Sequence, residues 1–231
     1  LDCALNSSVD FWGKGLKSQS MPSPANERER WNRKYRQSRG SWIEPDPFLL
    51  LAFSEYVQPL FPAAGHALDL AGGAGRHAIW LARQGWEVSL IDIANVGVDL
   101  ARQNAGPLAA LVHCEENDLG RFKASPMLFD LVMVFFYLDR KIFPEIVEAI
   151  RPGGLLVYKT LTRAKPERAD GPRDPAYLLE EGELLRLAAK MQVLHYREEI
   201  ADRATAELVA KKAIPITGNA QSNEPIRRCE L

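Results

Sequence analysis

The stretch Asp69-Leu70-Ala71-Gly72-Gly73-Ala74-Gly75 joins a carboxylate to a run of small residues. Glycines there permit a tight turn and let a ligand approach the backbone closely. Gly73-Ala74-Gly75-Arg76-His77-Ala78 matches the GxGxxA form of a dinucleotide site. Asp69 points to a different ligand. A pyrophosphate has no use for an anion beside it, whereas a cationic amino group does. Asp92 follows, 17 residues beyond Gly75. A carboxylate there can accept hydrogen bonds from both hydroxyls of a ribose. Asp118 comes after the next apolar segment, in place to meet a purine edge. Each feature also has a plainer reading. The glycine run could be a bare strand-to-helix turn, Asp92 a helix cap, and Asp118 a turn residue.

The remaining reactive side chains form no second constellation. His66, His77, His113 and His195 lack metal-ligand spacing. Cys3, Cys114 and Cys229 are odd in number, far apart and without a CxxC pair, so neither a disulfide framework nor a zinc site is expected. His113 and Cys114 are adjacent on a strand candidate, which sends them to opposite faces. No general base emerges, and no catalytic residue is assigned. Trp31 and Tyr35 share a helix face at i, i+4 spacing, among Arg28, Arg30, Arg33, Lys34, Arg36 and Arg39. That segment, residues 27–43, is either a lid over a ligand or a helix packed on the domain with a solvated basic face.

The elements that must position these residues alternate. Residues 48–60 read as a helix. His66–Leu70 is a short strand, and the glycine turn leads into a helix over Arg76–Gln84 closed by Gly85. Trp86–Ile91 is a strand ending at Asp92. A helix over 95–105 is broken by Gly106-Pro107. Leu108–Cys114 is a third strand candidate. Phe129–Phe136 is almost continuously apolar, as a central strand covered on both faces would be. Of Phe135 and Phe136, one belongs to the core, because strand side chains alternate. A helix over 141–150 precedes a sharp turn at Arg151–Gly154 and a strand over Leu155–Thr162. After the polar loop Arg163–Pro175 a helix is expected through Lys190, then two strands, Gln192–Glu198 and Ala204–Ala213. The expected fold is a doubly wound, mostly parallel seven-stranded α/β sheet, with helices on both faces and a C-terminal antiparallel strand pair. One domain spans 27–215, with flexible tails at 1–26 and 216–231. Met21 opens more typical protein sequence, so residues 1–20 are expected to be an extension upstream of the native start.

Lys plus Arg total 29 and Asp plus Glu 30, a formal charge of −1. That balance gives no electrostatic case for nucleic acid as the main partner. Hydrophobic residues make up 46%, which fits a folded core. No apolar run approaches a membrane span. A cytoplasmic protein with no membrane partner is expected.

Taken as an ordered set, Leu68–Gly75, Ile91-Asp92, Asn117-Asp118-Leu119, Phe129–Phe136 and Arg151–Leu156 resemble the motifs of class I S-adenosylmethionine-dependent methyltransferases. Trp31–Leu50, Phe136–Arg140 and Gly171–Pro175 resemble the small-molecule branch that includes tellurite-resistance and thiopurine-type enzymes. The resemblance covers roughly residues 30–213. It implies S-adenosylmethionine as cofactor. Asp69 would hold the methionine amino group. Ala71, Gly72, Gly73 and Gly75 would line the methionine and ribose. Asp92 would take the ribose hydroxyls, Ile93 would pack on adenine, Asp118 and Leu119 would meet the adenine edge, and Phe135 would sit beside the sulfonium. Ala71 departs from the family's usual glycine, and its methyl is expected to restrict that backbone to conventional dihedrals.

The implied acceptor is a small molecule. The absence of a clear base favours a soft nucleophile, such as a thiol or a selenium or tellurium oxyanion. Trp31, Tyr35, Arg140 and Arg173 are the candidate acceptor contacts, the two arginines for a negative group. Two other classes remain open: an NAD-dependent oxidoreductase on a related fold, and a non-catalytic S-adenosylmethionine-binding regulator. A nucleic-acid methyltransferase is disfavoured by charge and by Phe-Phe-Tyr-Leu where an Asn/Asp-Pro-Pro-aromatic motif would stand.

Overall fold

The computed structural model describes residues 23–37, 44–123, 126–164, 174–201 and 203–215. The chain runs α1 (Pro24–Gln37), α2 (Pro47–Ala52), a π-helical turn (Phe53–Val57), α3 (Gln58–Leu60), β1 (His66–Leu70), α4 (Arg76–Arg83), β2 (Glu87–Asp92), α5 (Asn95–Ala105), β3 (Val112–Glu116), β4 (Phe129–Phe135), α6 (Phe143–Ala149), β5 (Ile150–Leu161), α7 (Glu183–Leu187), β6 (Gln192–Ile200) and β7 (Ala204–Lys211). The seven strands form one sheet in the order β3-β2-β1-β4-β5-β7-β6. β1 to β5 pair in parallel, and β7 runs antiparallel to both β5 and β6. The direction of strand order reverses between β1 and β4. In an open α/β sheet the ligand crevice lies at the carboxyl ends of the strands flanking such a reversal.

Two apolar layers hold the sheet. One gathers Phe48, Leu49, Leu81, Trp86 and Val98 against inward residues such as Leu90 and Met133. The other gathers Ile146, Leu184 and Met191 against Leu68, Val132 and Leu156. β4 is buried along its whole length, which explains its unbroken apolar sequence. Among the described residues no helix is long and apolar enough to cross a membrane.

Four boundaries differ from expectation. The third strand begins at Val112, not Leu108, because Gly106–Leu108 forms a 3-10 turn closed by Ala109 N–H to Gly106 (3.1 Å) and Leu111 N–H to Leu108 (2.8 Å). The expected helix after Pro175 is only a 3-10 turn (Pro175–Tyr177) and the short α7, separated by Gly182 in a left-handed backbone. Arg151–Gly154 is the irregular start of β5 rather than a free turn. Gly153 N–H donates to Lys212 and Lys212 N–H to Gly154, both at 2.9 Å, extending the ladder to β7. Pro24–Asn26, expected in a flexible tail, are helical. Residues 1–22, 216–231 and most of the 163–175 loop lie outside the described residues.

Candidate cofactor site

β1 carries Asp69 to the carboxyl edge of the sheet and buries it to 1% exposure. Neither carboxylate oxygen has a hydrogen-bond partner among the described residues. Burial pushes its pKa up to about 7, opposed by the Arg76 guanidinium and the nearby Ala78 N–H. A buried carboxylate left this way is costly unless a donor or a cation meets it. The glycine turn supplies the room. A Cβ on Gly72 would lie 2.8 Å from Asp69 Oδ2 and 2.7 Å from Leu90 Cγ. Gly73 and Gly75 take left-handed φ of 58° and 83°, and Gly75 caps α4.

Ala71 breaks the expectation made for it. It too is left-handed, at φ 57°. Its Cβ does not enforce a conventional backbone, because the bonds Gly72 N–H to Ile91 (3.3 Å) and Gly75 N–H to Gly72 (3.0 Å) fix the turn around it. Phe136 is a second strained residue, also at φ 57°, at the end of β4.

Asp92 ends β2 and clips the turn to that strand. Its Oδ2 accepts from Gly73 N–H at 2.9 Å and its Oδ1 from Ala94 N–H at 2.8 Å. Burial raises its pKa to about 6 against these amides. Each oxygen keeps a further lone pair for a ligand. Ile93 is half-buried beside it, and its carbonyl accepts from Arg28 Nε at 3.0 Å. Asp118 caps a 3-10 turn, Leu119–Arg121, through Gly120 N–H at 3.0 Å, and Leu119 is buried in the core. Phe135 is the core member of its pair. Its ring lies 4.2 Å from that of His77, centroid to centroid, and Phe136 is only half-buried.

α1 lies across this edge. Asn32 Nδ2 donates to Asn95 Oδ1 at 2.7 Å, and Asn32 Oδ1 accepts from Val96 N–H at 3.1 Å. Arg28 pairs with Glu116 at 3.2 Å. Tyr35 reaches the glycine turn. A Cβ on Gly73 would lie 2.1 Å from its hydroxyl, and one on Gly97 2.8 Å from its ring. Burial, then Asp92 and Asp69, push the Tyr35 hydroxyl pKa up, so it stays protonated. Trp31 stacks on Tyr35 at 6.1 Å.

Of the two arginines expected at an acceptor, the described residues include only Arg140. Arg140 is committed elsewhere. Its guanidinium binds both oxygens of Glu183 and donates to the carbonyls of Ala176 and Leu178 at 2.9 Å each. Arg173 lies outside the described residues. Asp139 caps Lys141 N–H at 2.9 Å.

Sequence reasoning missed a buried ion network beside the site. Lys159 Nζ lies 2.9 Å from Asp46 and 3.0 Å from Glu207, joining α2, β5 and β7. Asp46 N–H donates to His77 Nε2 at 3.3 Å. Burial, with Arg76 and Lys159 nearby, lowers the His77 pKa well below its ordinary value, so the ring is neutral and accepts there. The available signal was Lys159 itself, a lone cation at the end of the apolar run Leu155–Tyr158. No group of His, Cys, Asp and Glu suited to a metal occurs among the described residues.

Strand order, the switch point and the acid-flanked glycine turn define the class I methyltransferase fold. Comparison with known proteins agrees with that class. Residues 67–154 match a family model described as a methyltransferase domain. The tRNA 5-carboxymethoxyuridine methyltransferase of Escherichia coli (strain K12) is 29% identical over 103 residues, 41% of this chain and 40% of that protein. The chain thus spans about 40% of the length of this curated relative. Among solved structures, the N-methyltransferase NodS from Bradyrhizobium japonicum WM9, in complex with S-adenosyl-L-homocysteine, superposes with a TM-score of 0.60 at 16% identity, over 81% of this chain and 98% of that one. The [4+2]-cyclase SpnF superposes at 0.65 with 17% identity, over 84% of this chain and 97% of that one. The family match supports an S-adenosylmethionine-dependent methyltransferase and indicates S-adenosylmethionine as the cofactor. The residues fit that cofactor: a buried carboxylate with no hydrogen-bond partner stands beside the glycine turn, where it could meet an ammonium.

Proposed function

We propose that this chain transfers the methyl group of S-adenosylmethionine to a small-molecule acceptor. The observation that carries the reading is Asp69, a buried carboxylate without a partner beside the glycine turn. In this reading Asp69 holds the methionine ammonium and Asp92 the ribose hydroxyls. Ala71 and the three glycines pass the ligand along their backbone, Ile93, Asp118 and Leu119 frame the adenine, and Phe135 stands beside the sulfonium. Tyr35 and Trp31 close the site from α1.

The cofactor supplies an activated methyl on a sulfonium that leaves as a neutral thioether. The protein has to align acceptor and methyl and exclude water. Tyr35 serves exclusion, since its hydroxyl and ring pack against Gly73 and Gly97. His77 is buried, and its Nε2 is taken by Asp46 N–H, so it is unsuited to proton abstraction. This pattern suits an acceptor that needs no strong base, such as a thiol or a selenium or tellurium oxyanion.

A second reading has a specific observation behind it. The E. coli relative acts on tRNA. One experiment separates the two: labelled S-adenosylmethionine offered with thiols, selenite, tellurite, small acids, amines and bulk tRNA. Label in a small acceptor supports the proposal. Label in tRNA alone replaces it, and tight cofactor binding without transfer leaves the regulator.

A further inference from the structure

Tyr177 stands on a fixed base. Asp174 caps its 3-10 turn, with Oδ1 accepting from Ala176 N–H at 2.9 Å and the backbone carbonyl from Tyr177 N–H at 3.1 Å. Arg140 donates to the carbonyls on either side of Tyr177, those of Ala176 and Leu178, at 2.9 Å each. The next residue is stitched to β5, since Leu179 N–H donates to Leu161 at 3.0 Å.

From that base the side chain reaches α1. The Tyr177 hydroxyl donates to Glu27 Oε1 at 2.7 Å, across 150 residues of sequence. The other Glu27 oxygen takes Arg30 at 3.1 Å. The Arg30 guanidinium lies 5.5 Å from the Tyr177 centroid and 5.4 Å from that of Trp31, within cation–π reach of both rings. A phenol, a carboxylate and a guanidinium thus tie the two segments together. Burial, then the bond to Glu27, raises the Tyr177 pKa, so the hydroxyl remains a donor.

This tie matters because α1 has little else to hold it. Asn32 is its one fully buried residue, so no apolar side chain anchors the helix in the core and polar contacts set its place. Glu27 also borders the cofactor crevice. Burial, followed by Asp139, Asp118, Asp92 and Glu27, raises the pKa of Tyr137, so Glu27 acts on the same phenol as Asp92 and Asp118. About 12 Å further along the helix, Tyr35 packs on Gly73 and Gly97.

We propose that Tyr177 is a positioning residue for the cofactor's cover: by holding Glu27 it keeps α1, and with it Tyr35, over the glycine turn. The inference rests on the methyltransferase reading. Tyr177 spends its hydroxyl on Glu27 rather than on a ligand. Loosening it should therefore speed cofactor entry and release alike and leave the equilibrium affinity in place.

The test is stopped-flow binding of S-adenosylhomocysteine to the full chain, followed by tryptophan fluorescence. Tyr177→Phe keeps the ring over Arg30 and loses the bond to Glu27. It should raise the association and release rates about fivefold each, the effect of one half-buried hydrogen bond to a carboxylate. Kd and thermal unfolding should stay as in the native chain. Glu27→Ala breaks the same bond from the exposed side of α1 and should match it, whereas Glu27→Gln keeps an accepting oxygen and should recover most of the native rates. Tyr196→Phe, which removes a tyrosine–glutamate bond to Glu198 on β6, should change nothing. Tyr35→Ala combined with Tyr177→Phe should release no faster than Tyr35→Ala alone, because both act through α1. Native rates in Tyr177→Phe and Glu27→Ala overturn the inference, as does a double variant whose acceleration is the product of the two. Weaker affinity at an unchanged association rate does so too, by placing Tyr177 on the ligand. Failure of the native chain to bind S-adenosylhomocysteine at all strikes the methyltransferase reading instead.

Discussion

Asp69 is the residue whose cost most needs an explanation. Its pKa of about 7 stands above the ordinary 3.8, so between those values the folded chain holds a proton that the unfolded chain has released. Stability without ligand therefore falls as pH rises through that window, and the penalty is complete above about pH 7. Asp69→Asn should raise the apo protein's stability at pH 8 by about 1–3 kcal/mol and do little at pH 4, measured by denaturant unfolding. Cofactor affinity carries the opposite sign. Protonating Asp69 removes the partner of an ammonium, so S-adenosylhomocysteine should bind more weakly as pH drops from 8 to 6, with most of that dependence absent in Asp69→Asn. Ala71 gives a separate test. A left-handed non-glycine residue costs roughly 1–2 kcal/mol, so Ala71→Gly should raise the unfolding midpoint by a few degrees. An unchanged or lowered midpoint would mean that the turn holds Ala71 without strain.

At the scale of elements, α1 and the 174–183 segment are the parts attached to the bare fold. α1 is tied by Asn32 to the start of α5 and sends Tyr35 onto the turn. Tyr35→Ala should speed release of S-adenosylhomocysteine roughly tenfold in stopped flow and leave unfolding nearly unchanged; an unaltered off-rate would make α1 plain packing. Arg140 anchors the second segment through Glu183 and two carbonyls. Arg140→Ala should cost about 1–2 kcal/mol, discounted for partial exposure, without touching cofactor affinity. Most strands and helices up to β4 were legible from their apolar periodicity; the start of β3 was not, because the Gly106–Leu108 turn takes up the apolar residues before Val112. The short α7 was not, since Leu178, Leu179 and Leu184 to Leu187 read alike whether helical or looped. What divides them is the Gly182 turn and the Arg140 clamp, a contact 43 residues away in sequence.

For the whole molecule, the sheet order brings α2, β5 and β7 to one edge, and Lys159 holds all three. Lys159→Met would leave Asp46 buried without a cation and Glu207 with only Arg197 at 3.5 Å, so a loss of about 3 kcal/mol is expected on denaturant unfolding. The acids at the ends of β1 and β2 were legible from spacing, because both sit where their strands stop. The cations around Phe136 were not, because Arg76, Lys159 and Arg203 are scattered along the chain. The most direct measurement is a calorimetric titration of the full chain and Asp69→Asn with S-adenosylhomocysteine and with NADH at pH 8. One-to-one binding of S-adenosylhomocysteine, weakened roughly tenfold or more by Asp69→Asn, with no NADH binding, is the result expected. Binding of NADH alone, or equal affinity of both proteins for S-adenosylhomocysteine, would contradict it.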